Sequence, residues 1–215
     1  MKEFWSARAR SLTPYVPGEQ PQGQTFIKLN TNENPYPPAP AALAAIRAAA
    51  DGTLRLYPDP ECGALRQALA ETYGLRPENV FVGNGSDEVL ALCFQAFFDP
   101  GREILFPDVT YSFYPVFAQL YGLDYREVPL NDDFSLPLEP FLGGNGGVVI
   151  ANPNAPTGQA VGLDAVRALL EGNPRAVVLV DEAYVDFGAA SAAELVGEYP
   201  NLVVVQTMSK SRALA

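Results

Sequence analysis

The 215-residue chain is long enough for one large domain, or for one domain with part of a second. Apolar residues make up 48% of it and charged residues 18%, so it buries a sizeable core and is not a disordered segment. A net charge of −11 argues against a nucleic-acid binder. The lack of any histidine excludes a serine–histidine triad, and Cys62 and Cys93 have no metal-ligand spacing. Acid–base chemistry must then come from Lys, Tyr, Asp, Glu or a cofactor. The opening MKEFWSARARSL lacks the apolar core of a secretory signal, and no apolar run is long enough to span a membrane. Two cysteines without a disulfide framework fit a reducing, cytoplasmic setting.

In chain order, the first forty residues are rich in Pro, Gly, Gln and Asn, which predicts an extended arm rather than a packed unit. AALAAIRAAADG has helical composition, with Gly52 as its expected stop. LRLYPDP reads as a loop and ECGALRQALAETYGL as an amphipathic helix. From residue 80 the pattern turns regular. NVFVG predicts a strand, GNGSDE a turn, and the residues after it a helix. REILFP and the helix that follows repeat the unit, and LDYREVPL adds a short strand. GGVVIANPN, RAVVLVDEAY and NLVVVQTMSK each hold an apolar, β-branched run of strand length. LDAVRALLEGN and SAAELVGEYP, of helix or helix-turn length, separate them. This alternation predicts an α/β fold with a mostly parallel sheet covered on both faces.

The last three strands end in polar residues: Asn152 and Asn154, then Asp181, then Ser209 with Lys210. In a parallel sheet such ends share one edge, where open α/β proteins bind ligands. A lysine amine and a carboxylate at one site suit pyridoxal phosphate (PLP). The amine can bond the cofactor aldehyde, and the carboxylate favours a protonated pyridine nitrogen. In GNGSDE, Gly85 permits a tight turn that leaves N–H groups near Ser86 and Asp87 able to hold a phosphate. Plainer roles stand beside these: a helix cap at Ser86–Asp87, a cap at Asp181–Glu182, a solvated Lys210, a core aromatic at Tyr111 and a turn residue at Tyr57. A dinucleotide-binding oxidoreductase is the rival of a different class, but GNGSDE lacks the third glycine of that fingerprint.

Taken in order, SDE after a glycine turn, NPNAPTG at 152–158, DEAY at 181–184 and TMSK at 207–210 resemble the fold-type-I aminotransferases. PYVPG at 14–18, LNTNENPYPP at 29–38 and YPDP at 57–60 look like the histidinol-phosphate aminotransferases among them. The resemblance implies a three-layer PLP-binding large domain over 46–215, with 1–45 as an arm and small-domain contribution. It implies that Lys210 carries PLP, Asp181 pairs with the pyridine nitrogen, Tyr184 meets the phenolic oxygen and Tyr111 stacks on the ring. Ser86, Asp87 and Ser209 fall where the family holds the phosphate. Tyr15 and Asn34 lie in the arm that closes over substrate, and Tyr57 reaches the neighbouring site of a homodimer. The implied reaction is transamination of L-histidinol phosphate with 2-oxoglutarate. A phospho-amino-acid decarboxylase or an aromatic aminotransferase of the same fold are the near alternatives. In two places the sequence departs from the family. Ala155 stands where the family often has the asparagine that contacts the phenolic oxygen, so Asn154 is expected to take that role. The chain also stops at SKSRALA, where the family continues, so turnover is expected to need the remainder; Arg212 does not match the family's arginine.

Overall fold

The computed structural model describes residues 2–12, 19, 23, 27–144 and 146–215; Tyr15 and the rest of PYVPG fall outside them. The chain forms two compact units, each drawing on two stretches: Met1–Pro14 with Ser86–Gln206, and Tyr15–Gly85 with Thr207–Ala215. The helices are α1 (Ala7–Ser11), α2 (Pro40–Ala49), α3 (Gly63–Tyr73), α4 (Gly85–Phe97), α5 (Tyr114–Tyr121) and α6 (Leu163–Gly172).

The first unit is built on five parallel strands: β1 (Ile104–Pro107), β2 (Tyr125–Val128), β3 (Gly147–Ala151), β4 (Val178–Asp181) and β5 (Leu202–Val205). Their spatial order is β2-β1-β3-β4-β5. Strand alternation sorts the apolar side chains onto two faces. Ile104, Phe106, Val149 and Leu179 join α4 and α5 residues such as Leu90, Phe94 and Phe117 in one core. Leu105, Val148, Ile150, Val178 and Val180 join Val166, Leu169 and Leu170 of α6 in the other. Both faces are covered, which is why these strands carry unbroken apolar runs.

Five of the predicted strands form where expected. The sixth does not: residues 80–83 have no ladder partner among the described residues, and Phe81 is 68% exposed. An apolar β-branched run becomes a strand only when a neighbour supplies its hydrogen bonds. The opening of the chain also differs from the expected extended arm. Lys2–Phe4 makes a 3-10 turn, and α1 follows, with Ser6 Oγ accepting from Ala9 N at 3.1 Å as its cap. Helix α1 packs against α5, whose left-handed end at Gly122 (φ +70°) lies close to the Arg8 guanidinium. In the second unit α2 ends at Ala49, short of Gly52. That glycine instead opens a 3-10 turn, Gly52–Arg55, capped by Asp51. Helix α3 ends in a left-handed Gly74.

Candidate active site

Strand order reverses between β1 and β3, so the crevice at their carboxyl ends is the natural ligand position. The segments leaving these two strands are tied together there. Thr110 Oγ1 donates to Asn154 Oδ1 at 2.9 Å, and Asn154 Nδ2 donates to the Val109 carbonyl at 2.8 Å and to Thr157 Oγ1 at 3.0 Å. Asn152, fully buried, closes its own loop by bonding both the N–H and the carbonyl of Val161.

Asp181 is the last residue of β4 and is 4% exposed. Alternation after Leu179 turns it toward the aromatic core. There its Oδ2 accepts from the Tyr114 hydroxyl at 2.8 Å, and its Oδ1 accepts from Ala183 N at 3.1 Å. This carboxyl is raised to about 6 in all, and burial is the largest cause. The Tyr114 and Ala183 hydrogen bonds pull it back, and the charges of Asp87 and Glu182 push it further up. Among the described residues no cation forms an ion pair with it. Tyr114 is itself fully buried, and its hydroxyl is driven well above the usual tyrosine range by burial and then by Asp181, so it stays a donor.

Tyr111 lies beside this pair. Its hydroxyl donates to Asp87 Oδ1 at 2.8 Å, and its half-buried ring sits edge-on to Tyr114 at 5.6 Å between centroids. Asp87 therefore turns its carboxylate to Tyr111. Ser86 and Asp87 occupy the first turn of α4, which begins at the left-handed Gly85 (φ +79°). Tyr184, half-buried beyond β4, opens the 3-10 turn Val185–Phe187. Sequence reasoning missed Tyr114. The available signal was a tyrosine in the apolar helix YPVFAQLY, since a buried hydroxyl needs a partner.

Glu182 points to the opposite face and is 1% exposed. Its Oε1 accepts from Ala192 N at 2.6 Å, and its Oε2 accepts from Ser191 Oγ at 2.6 Å and Gln206 Nε2 at 2.8 Å. Glu182 thus ties β4 to the start of the 3-10 turn Ala192–Leu195, whose own cap is Ser191.

In the second unit, Asn34 Nδ2 donates to the carbonyls of Lys210 and Ser211, each at 3.0 Å. Lys210 Nζ donates to the Thr31 carbonyl at 3.4 Å, so the TNEN segment and the SKS segment meet. Ser209 Oγ lies 2.9 Å from Thr207 Oγ1. Tyr57 is wholly exposed. Both free thiols lie apart from these residues in kind: Cys62 is exposed, and Cys93 is buried in the core and pushed up to about 11 by that burial.

Residues 24–215 match the sequence model of the family "Aminotransferase class I and II". The histidinol-phosphate aminotransferase of Acetobacter pasteurianus is 65% identical over all 215 residues, which correspond to 60% of its length. The chain thus spans about three-fifths of the curated relatives it matches. Among solved structures, the histidinol-phosphate aminotransferase of Sinorhizobium meliloti in complex with pyridoxal-5'-phosphate aligns with a TM-score of 0.75. The alignment has 29% identity and covers 86% of this chain and 52% of that one. A Thermus thermophilus aspartate aminotransferase double mutant, 23% identical, shares the fold with a TM-score of 0.81 over 98% of this chain and 62% of that one.

Proposed function

This chain belongs to the class I and II aminotransferases, and on that basis we propose that the complete protein is a histidine-biosynthesis enzyme that moves the amino group of L-histidinol phosphate to 2-oxoglutarate, with PLP as its cofactor. The buried Asp181 carries the cofactor reading. A carboxylate 4% exposed, bonded only to neutral donors among the described residues, suits a cationic partner such as a protonated pyridine nitrogen. When bound, PLP supplies the electron sink for charge developing at the substrate α-carbon.

Several residues of this chain suit distinct parts of that group. Asp181 would hold the proton on the ring nitrogen, and Tyr111 would offer a flat face. Tyr184 supplies a hydroxyl for the phenolic oxygen. The N–H groups of Ser86 and Asp87, at a helix start, suit the phosphate, as does the Ser209 hydroxyl. Lys210 would hold the cofactor aldehyde, and its amine suits holding or moving a proton at the substrate α-carbon. The substrate reading rests on the Acetobacter relative. An exposed Tyr57 suits a homodimer in which it serves the neighbouring site, and two free thiols suit the cytoplasm. No helix of the described residues is long and apolar enough to cross a membrane.

The test is product analysis on the complete protein with PLP, L-histidinol phosphate and 2-oxoglutarate. Glutamate and a keto product are expected in equal amounts. When a phosphorylated amino acid replaces L-histidinol phosphate, release of its carboxyl as carbon dioxide without glutamate would instead make it a decarboxylase.

A further inference from the structure

Asn154 spends its side chain on the protein. An amide nitrogen has two hydrogens, and here they go to the Val109 carbonyl at 2.8 Å and Thr157 Oγ1 at 3.0 Å. The amide oxygen accepts from Thr110 Oγ1 at 2.9 Å. A carbonyl can only accept, so Val109 fixes which end of the amide faces it. The residue is 8% exposed, and its backbone is also held: its N–H donates to the Gln159 carbonyl at 2.7 Å, and its carbonyl accepts from Gly158 N at 2.8 Å.

Val109 and Thr110 lead directly into Tyr111, whose hydroxyl is anchored to Asp87 at 2.8 Å. The Tyr111 ring is therefore held at its backbone approach through Asn154 and at its tip through Asp87, while its faces and edge pack on Phe113 at 5.5 Å and Tyr114 at 5.6 Å between centroids. We infer that Asn154 is a positioning residue that sets the plane of the Tyr111 ring, and that it donates no hydrogen bond to the cofactor. Ala155, next in the chain, has no polar side chain to offer. In the first unit this leaves Tyr184 as the side chain assigned to the phenolic oxygen. The inference rests on the proposed PLP site.

The experiment uses the complete protein and four variants: Asn154→Ala, Thr110→Val, their combination, and Tyr184→Phe. Titration with PLP followed by visible absorbance gives affinity. The pH midpoint of the bound cofactor's visible band reports what bonds the phenolic oxygen. Asn154→Ala should weaken PLP binding about ten-fold or more, and Thr110→Val about three-fold or more. The double variant should be no weaker than Asn154→Ala alone, because both act through one loop. The band midpoint should stay within about 0.3 pH unit of the parent in these three, while Tyr184→Phe raises it by about one unit. A midpoint in Asn154→Ala raised as far as in Tyr184→Phe would overturn the inference. If Asn154→Ala does not fold, Thr110→Val decides alone: unchanged affinity overturns the inference. A parent protein with no visible band on adding PLP would remove the cofactor reading itself, a result distinct from a normal band with a moved midpoint.

Discussion

Asp181 ends β4 with a tyrosine hydroxyl and a backbone N–H as its partners, and its carboxyl is raised from 3.8 to about 6, with burial the largest cause. Between those values the folded chain binds a proton that the unfolded chain has released. Stability without cofactor is therefore highest below about pH 4 as far as this group is concerned, and falls as pH rises toward 6. The loss is on the order of 3 kcal/mol by the usual conversion of a pKa difference. Thermal unfolding of the cofactor-free protein between pH 4 and 7 should show that slope, and Asp181→Asn should flatten it while lowering transaminase activity at least ~100-fold. Tyr114→Phe should move the end of the slope to higher pH, since it removes a donor to the charged form. A slope unchanged by either substitution would disprove the ionisation assigned to Asp181. The carboxylate itself was legible from its place at the end of an apolar run. Its partner was not, because Tyr114 lies 67 residues away in sequence and only the fold brings its hydroxyl to Asp181.

Among the elements, the ends of β4 and β5 are joined by Glu182, whose backbone N–H donates to the Val205 carbonyl and whose carboxylate collects Ser191, Ala192 and Gln206. Burial pushes this carboxyl up too, against the pull of those donors. Truncation would strand three buried or half-buried donors at once. Glu182→Ala is expected to cost about 3 kcal/mol in urea unfolding, and a loss under about 1 kcal/mol would mean the cluster is slack. None of this was readable beforehand, as a glutamate after a strand looks like any solvated cap. The five parallel strands were readable because their apolar runs are covered on two faces and need no alternation. NVFVG carries the same composition, yet stays unpaired among the described residues. Composition names a candidate strand, and only a partner makes it one. Short α1 escaped notice for a related reason: five residues hold too little periodicity, and its support comes from Ser6 and from packing on α5.

At the scale of the whole molecule, the chain matches about three-fifths of its relatives' length, and its two units are each assembled from separated stretches. Tyr57 is wholly exposed, and the proposed homodimer gives it a site to serve. Complete Lys210→Ala and Tyr57→Ala proteins, each expected to be nearly inactive, should regain activity when unfolded and refolded together, because mixed dimers would hold one intact site. Failure to regain any, with dimers present, would confine Tyr57 to its own subunit. The most direct measurement bears on the lysine. PLP is added to the complete protein, the bond to the cofactor is fixed with borohydride, and the labelled peptide is mapped by mass. The label is expected on Lys210, within TMSKSR. Labelling of any other lysine instead, or of no lysine at all, would contradict the proposed site and the reaction derived from it.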